Sequence, residues 1–417
     1  MKKKLKNIIH EGFSDLLLIW MSELKAVIKD QGVLIFFVLV PLGYPLLYTY
    51  IYNNEVIRDV PVAVVDNNRS ANSREFLRFI DGTPDVSIVS YCSDMDEAKQ
   101  SIKDGKTYGI IYIPESFTSD IIHGKQTTVS LYCDLSGMLY YKAILTAATN
   151  SSLVMNKNIK IAKLGNTTDK QDEISTAPIQ YEDISLFNSQ NGFASFLIPG
   201  VLILIIQQTL LLGIGLSAGT ARENNKFFDL VPMSRHYHGT LRIVLGKGLL
   251  YFMIYAIMSI YVLILVPKMF NLNQITDPYT LGAFIFPFLL ACIFFSMTCS
   301  AFIHHRETCM IVYIFTSVPL LFISGISWPG AAIPEFWQIV SYIFPSTFGI
   351  NGFVHINNMG ANLRDISTPY IALWIQAAVY FITTCFVYRY QIARSRKHAY
   401  ARYKEIKNKR KREDLKL

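Results

Sequence analysis

Six long apolar stretches constrain this chain more than any other feature, because each is long enough to cross a lipid bilayer. About 20 apolar residues span the hydrocarbon of a membrane when they form a helix. Only 17% of the 417 residues are charged, whereas a soluble domain carries about 25%. We therefore predict an α-helical integral membrane protein with six transmembrane helices, at residues 33–52, 193–220, 241–266, 279–303, 308–328 and 370–388.

A compact charged segment, residues 221–240, joins the second and third predicted spans. Its charged side chains would be costly in lipid, so the whole segment belongs on one side of the membrane. A short loop held between two spans is a place at which another protein can push on the helices. The sequence therefore predicts a coupling loop here.

The first 32 residues precede the first span and read as an amphipathic helix. Apolar residues recur every three or four positions, at Phe13, Leu17, Trp20, Leu24 and Val27. This pattern is typical of a helix that lies in the headgroup region of a membrane. The alternative is an ordinary helix packed on protein, and the periodicity by itself leaves both open.

Residues 53–190 form a long polar insertion between the first two spans, and their pattern predicts a small α/β domain. Strand-like and helical patterns alternate along it, and residues 165–190 read as a polar loop that returns to the membrane. Cys92 and Cys133 both fall in this insertion and could pair. The predicted strands are residues 60–66, 86–91, 108–113 and 128–134, and the predicted helices are residues 70–81, 94–104, 115–123 and 137–164.

Residues 329–368 lie between the last two spans and contain an apolar piece that is too short to cross a bilayer. This piece runs from Pro334 to Phe344, contains Trp337, and is bracketed by Pro329, Pro334 and Pro345. An apolar segment of this length is more typical of a re-entrant or interfacial element than of a span. We therefore predict a re-entrant segment here.

The distribution of lysine and arginine predicts which side of the membrane each segment occupies. Basic residues collect in the N-terminus, the 222–247 region, residues 304–308 and the tail at 389–417, which holds twelve Lys/Arg against three acids. The other short loops hold only Lys268 and Arg364. The positive-inside rule then places both termini and the charged loop in the cytoplasm, and the α/β domain outside. Because topology explains the net charge of +8, this charge does not indicate a nucleic-acid partner.

Motifs for chemistry on this chain are missing from the sequence. It has no G-x-x-x-x-G-K-[ST] phosphate loop, and no spacing of ligands indicates a metal site; His304 and His305 are adjacent and read as a turn. Apart from the third span, the predicted spans carry no Asp, Glu, Lys or Arg before Arg222 and Arg306 at their ends. This argues against a proton- or sodium-driven carrier. The most polar mid-span residues are Gln207 and Gln208, which either line a substrate path or bond to a neighbouring helix.

The order of the parts resembles the ABC-2-type permease family, the membrane subunits of ABC exporters with a large extracytoplasmic domain after the first span. Each match is short, but together they follow one order over nearly the whole chain. They are VPVAVVD at residues 60–66, IPESF at 113–117, LFN with LIPG at the second span, RE…L.P.SR…GK at 222–247, and SGISWP…IPEFWQ…FPST…NNMG at 324–360. The chain departs from the family in the loop, where it has NNKFFD and Asp229 is the nearest acid.

The resemblance implies a permease that moves a hydrophobic or amphipathic substrate, such as a drug, a lipid or a lipid-linked compound, outward. It implies a dimer with a second copy or a paralogue, docked on a separate ATPase that binds ATP and Mg, so that this chain is not itself an enzyme and carries no cofactor. Membrane lipids are expected partners, and a periplasmic adaptor protein remains open. A non-transporting receptor that uses its outer domain is the competing interpretation. The implied coupling residues are Arg222, Glu223, Asp229, Pro232, Arg235 and Lys247.

Overall fold

The computed structural model describes residues 2–53, 56–165, 168–176, 186–188, 192–223, 239–303 and 305–413, with side chains described only between residues 12 and 393. The chain divides into two compact units. A helical unit comprises Met1–Asn53 and Leu186–Leu417, and an inserted unit comprises Asn54–Ser185. The insertion predicted at residues 53–190 therefore corresponds to a separate structural unit.

Helices account for most of the described residues, and all four described strands lie in the inserted unit. In chain order the helices are α1 (Lys2–Lys29), α2 (Gln31–Ile51), α3 (Ala71–Asp81), α4 (Met95–Lys103), α5 (Phe117–Ile122), α6 (Met138–Leu164), α7 (Asp169–Thr176), α8 (Phe193–Glu223), α9 (Thr240–Met269), α10 (Pro278–Phe302), α11 (Arg306–Ile323), α12 (Glu335–Ser341), α13 (Pro345–Met359) and α14 (Ser367–Glu413). The strands are β1 (Val60–Asp66), β2 (Val86–Tyr91), β3 (Gly109–Ile113) and β4 (Ser130–Cys133).

Six of these helices are long and apolar enough to cross a membrane, namely α2, α8, α9, α10, α11 and α14 up to Ala393. Two of them contain a π-helical turn, at Ile35–Leu39 and Tyr261–Leu265. In each case a proline follows two residues later, Pro41 or Pro267. A proline ring clashes with the carbonyl four residues before it, so widening the preceding turn relieves that clash without breaking the span.

The second span, α8, forms the centre of the helical unit. It is 31 residues long, and 94% of its most apolar 18-residue stretch is buried inside the protein. Small residues let its neighbours approach: a Cβ at Gly213 would lie 2.6 Å from the Phe37 ring, and one at Gly219 would lie 3.1 Å from the Arg306 backbone nitrogen. Close approach at glycine is a common way for membrane helices to pack without a hydrophobic driving force between them.

Two predicted spans end more than three residues away from where the structure ends them. The span predicted to reach Trp328 ends at Ile323, because Ser324 closes the helix and Gly325 adopts a positive φ of 86°. The last span, predicted at 370–388, begins at Ser367 and continues as one helix to Glu413. After Pro369 that segment contains neither glycine nor proline, so nothing in its backbone chemistry stops the helix at the membrane surface.

The inserted unit is an α/β fold around a four-stranded sheet with strand order β2-β1-β3-β4. Strand β1 runs parallel to β2 and β3, whereas β4 is antiparallel to β3. Its core contains Val62, Val64 and Ile111, which are fully buried. Helix α3 begins with a capping box between Ser70 and Ser73. Part of the predicted 165–190 loop is helical as α7.

The two cysteines of the inserted unit cannot form a disulfide within one chain. Cys92 follows β2 at one edge of the sheet, and Cys133 ends β4 at the other edge. Three strand spacings separate these edges, roughly 14 Å, whereas a disulfide needs Cα atoms within about 7 Å. Both thiols are free, and burial raises the pKa of the Cys133 thiol. The possibility that Cys92 and Cys133 pair is therefore excluded within a single chain.

The predicted re-entrant segment contains two helices that meet at a 90° bend. Helix α12 follows Pro334 and has seven residues, and α13 starts with Pro345 at its first position. A proline lacks the N–H that would continue the preceding helix, which explains why the chain turns between them. The geometry fits a re-entrant loop and also a single broken span, so the re-entrant interpretation stays a prediction. Pro329 precedes a short helical turn, and half of the Trp337 surface is exposed.

Candidate functional site

A cavity of about 660 Å³ opens at one end of the helical unit, where the charged ends of several helices meet. Helices α1, α2, α8 and α9 contribute most of its wall. The wall combines charged residues with apolar ones, so it can contact both the polar and the apolar part of a ligand. Among the lining residues are Glu23, Asp30, Ile35, Ile214, Lys247 and Arg306.

A buried ion pair fixes α1 against α9 beside this cavity. The Lys247 Nζ lies 2.8 Å from the Glu23 Oε2, and each side chain is only 4% exposed. The Tyr251 hydroxyl, one turn beyond Lys247, donates to the other Glu23 oxygen. A buried carboxylate needs both charge compensation and hydrogen bonds, and here one face of α9 supplies both.

A second ion pair links the same two helices two turns earlier on α1. The Arg242 guanidinium contacts the Asp15 carboxylate, whose side chain is 8% exposed. Between the two pairs, Ile19 is fully buried and packs where Gly246 leaves room. Residues 15, 19 and 23 lie on one helix face because their spacing is four. Asp15 and Glu23 are therefore directed at the protein, and both are functional candidates that the sequence analysis missed.

The structure corrects the coupling role implied for Lys247, which the predicted third span at 241–266 already contains. This residue lies in the second turn of α9 and is 3% exposed, so it is not part of an accessible loop. It also gives the third span a buried charge. Glu23 neutralises this charge within the chain, as expected for a charged side chain among apolar helices. A lysine flanked by two glycines in an apolar run was the available signal.

Arg222 and Glu223 end α8 and bind the neighbouring helix ends. Arg222 donates to the Ser300 carbonyl at 2.8 Å and to the Ile303 carbonyl. The Glu223 carboxylate accepts from the Arg306 backbone N–H at 2.8 Å, with His305 Nδ1 3.6 Å away. These contacts tie the end of α8 to the end of α10 and the start of α11.

Arg306 extends this network to the start of α2. Its guanidinium donates to Asp30 Oδ1 at 2.9 Å. The same Asp30 oxygen caps α2 by accepting from the Gly32 backbone N–H at 3.0 Å. The remaining predicted coupling residues, Asp229, Pro232 and Arg235, lie outside the described residues, as does His304.

The two mid-span glutamines differ in their partners. Gln207 Oε1 accepts the Ser346 backbone N–H at 2.5 Å and so caps the start of α13, where Phe344 offers no side-chain cap. Gln207 therefore bonds to a neighbouring helix, one of the two predicted alternatives. Gln208 is 2% exposed, and neither of its amide atoms has a hydrogen-bond partner among the described residues. Among the described residues of one chain, Gln207 is fully buried as well.

The predicted interfacial helix α1 has one face on the protein and another exposed. Val27 is buried, whereas Phe13 is 64% and Leu17 is 44% exposed. Trp20 and Leu24 pack at the edge of the core. An exposed apolar face is compatible with a position among lipid headgroups, which stays a prediction.

The chain matches one family model over most of its length. This model, described as ABC-2 family transporter protein, covers residues 32–386. The match spans α2 to the first 20 of the 47 residues of α14 and includes the inserted unit. No curated protein matches the chain significantly.

Replacing Lys247 by Met should destabilise the full-length protein, because it leaves Glu23 buried without its counter-charge. Breaking one partner of a buried pair costs about 3–5 kcal/mol. The double variant Glu23→Gln with Lys247→Met removes both charges and should recover most of the melting temperature. A thermal unfolding series in detergent measures this cycle. Equal losses for Lys247→Met and for the double variant would show that the charge pairing does not matter.

The two glutamines provide a matched pair of variants for stability. Gln207→Leu should lower the free energy of unfolding by about 1–3 kcal/mol, because it leaves the Ser346 N–H without an acceptor. Gln208→Leu should not lower it, since it removes a buried amide that has no partner in the described structure. Melting temperatures of the purified variants test the contrast. The assignment of Gln207 as a cap fails if both variants melt at the same temperature.

Proposed function

Because this chain belongs to the ABC-2 family of transporter proteins, we propose that it is the membrane-spanning permease subunit of an ATP-driven exporter. The family match over residues 32–386 carries this proposal. Six helices long and apolar enough to cross a membrane provide the spans that such a permease needs. The exported compound moves outward across the inner membrane of a bacterium, with both termini in the cytoplasm.

ATP hydrolysis is assigned to a separate ATPase subunit, which binds ATP and Mg. Its docking site on this chain is the segment between α8 and α9. Of the implied coupling residues, Arg222 and Glu223 already bond within the chain. We therefore assign direct contact with the ATPase to Asp229, Pro232 and Arg235. Arg222 and Glu223 then act as positioning residues that connect the loop to α10 and α11.

The mixed wall of the cavity supports an amphipathic substrate, such as a drug, a lipid or a lipid-linked compound. Ile35 and Ile214 offer an apolar surface, while Lys29, Asp30 and Arg306 offer charged groups. A pocket of this kind buries the apolar body of a ligand and orients it through a few polar groups. Its volume of about 660 Å³ is in the range of small-molecule sites.

The working unit is proposed to be a dimer with a second copy or a paralogue. Only 11% of the apolar 18-residue stretch of α11 is buried inside one chain. This helix is therefore available to face a second permease or lipid. A periplasmic adaptor is a further partner that the family resemblance allows.

A non-transporting receptor is the second candidate function, and it is favoured only by the folded inserted unit.

Substituting Asp229 and Arg235 together by Ala should abolish co-purification of the ATPase and export. Truncating charges at a desolvated interface costs about 2–5 kcal/mol of binding. The melting temperature should not change, because a surface substitution costs within about 0.5 kcal/mol. Arg364→Ala, in the segment between α13 and α14, is the control and should leave ATPase capture intact. A receptor without an ATPase would capture none even as wild type, whereas normal capture by the double variant would move docking to another segment.

The re-entrant assignment predicts that both ends of the bent helix pair lie outside the cell. Single cysteines at Gly330 and at Met359, in a cysteine-free background, should both react with a membrane-impermeant thiol reagent added to intact cells. Gly330 has open space around it, and Met359 is 43% exposed. Reaction of one position from outside and of the other only after cell lysis would identify α12 and α13 as one broken span.

A further inference from the structure

The inserted unit contains a pocket that plays no part in the proposed transport mechanism. It lies between α5, the segment before β4, and α6, and its volume is about 370 Å³. Small-molecule sites in proteins occupy about 300–1,000 Å³. The pocket is therefore large enough for a small ligand.

The floor of this pocket is part of the preformed core of the unit. Phe76 and Phe117 are 4% and 3% exposed, and their ring centroids lie 6.2 Å apart. Met155, on the facing side of α6, is 6% exposed and belongs to the same core cluster. Because these side chains are held by the sheet and by α6, the pocket does not require a rearrangement to form.

The wall of the pocket combines neutral polar residues with apolar ones and is uncharged. Among the described residues that line it, none is Asp, Glu, Lys, Arg or His. Burying an ionised group without a counter-charge is costly, so this wall disfavours a charged group inside the pocket. The neutral polar residues of the wall are Gln126, Thr127, Thr128, Thr149, Ser152 and Asn156.

One wall residue, Thr127, lacks the hydrogen bond that a buried hydroxyl requires. Its Oγ1 is buried and has no partner among the described residues. The neighbouring Ser152 hydroxyl, by contrast, donates to the Thr149 carbonyl at 2.8 Å. Buried polar atoms are nearly always bonded. A polar group of an occupant would supply the missing partner once rotation of the Thr127 side chain turns this hydroxyl toward the pocket.

We propose that this pocket binds a neutral amphipathic small molecule. Its hydrocarbon or aromatic body contacts Phe76, Phe117 and Met155, and a hydroxyl, carbonyl or amide group bonds to Thr127. This site is independent of the cavity in the helical unit. Binding to it requires neither the ATPase nor export, so its test is separate from that of the proposed function.

Photolabelling of the full-length protein in lipid nanodiscs tests the proposal. The probe is a long-chain alcohol that carries a diazirine, which is neutral and has one hydroxyl group. After irradiation, peptide mass spectrometry should locate the label on residues 117–131 and 148–159. An excess of the unlabelled alcohol should compete with this labelling.

Three variants distinguish binding in the pocket from adsorption on the surface. Ser152→Trp fills the pocket and should reduce labelling at these residues at least tenfold, as should the smaller filling Ala148→Leu if the tryptophan variant does not fold. Leu153→Trp is the matched control, because Leu153 is adjacent in sequence but 51% exposed and outside the lining. It should label like the wild type. Thr127→Val keeps the shape of the side chain and should weaken labelling several-fold.

Each contrary result overturns a defined part of the proposal. Unchanged labelling in folded Ser152→Trp or Ala148→Leu would show that the probe does not occupy the pocket. Labelling confined to the helical unit would have the same meaning. Unchanged labelling in Thr127→Val would remove the assigned hydrogen bond. Competition by a long-chain carboxylate or amine as strong as that by the alcohol would contradict the preference for a neutral ligand.

Discussion

The cost of placing charge among apolar helices governs the arrangement of the helical unit. Glu23 and Lys247 are each 4% exposed and lie 2.8 Å apart. Separately, each would carry a desolvation penalty of several kcal/mol, which attraction and further hydrogen bonds offset only when the geometry is good. The pair therefore stabilises one docked position of α1 and penalises all others. Asp15 with Arg242 repeats this constraint on the same two helices.

The central helix α8 shows how polar groups are satisfied in an apolar surrounding. Its glycines let α2 and α11 approach closely, and its Gln207 amide accepts the otherwise uncapped Ser346 N–H of α13. The sharp bend before α13 exposes backbone groups that a straight helix would satisfy internally. A side chain from another span thus stabilises the bend, which links the packing of α8 to the shape of the segment between α11 and α14.

Patterns in the sequence predicted local structure well. Strands at Val60–Asp66 and Val86–Tyr91 have the predicted bounds. These features are local, since two-residue and 3.6-residue periods report which faces are buried. Whether Cys92 and Cys133 pair could not be read from the sequence, because strand order is not local, and β4 joins the edge opposite to β2. The basic charge of residues 389–417 predicted a cytoplasmic tail but not its structure. The continuation of α14 into this tail follows instead from the absence of glycine and proline there.

The candidate site was harder to predict, for a physical reason. Arg222 and Glu223 were found because charges at the end of an apolar run are conspicuous in sequence. Glu23 was not, because an acid on an amphipathic helix normally faces water, and only the partner 224 positions away reverses that expectation. Lys247 was found, but its environment was misjudged for the same reason. Long-range pairing decides whether such a side chain is buried, and a single sequence carries little information about it.

The contacts at the charged end form one connected path through the helical unit. From Glu223 the path passes through the Arg306 backbone to the Arg306 guanidinium and on to Asp30, at 2.8 and 2.9 Å. Asp30 caps α2, which directly follows α1, and α1 is held on α9 by Glu23 and Lys247. The loop proposed to receive the ATPase lies between Glu223 and Thr240, so it joins both ends of this path. A force on that loop would thus act on α8 and α9 together, with α1 moving as part of α9.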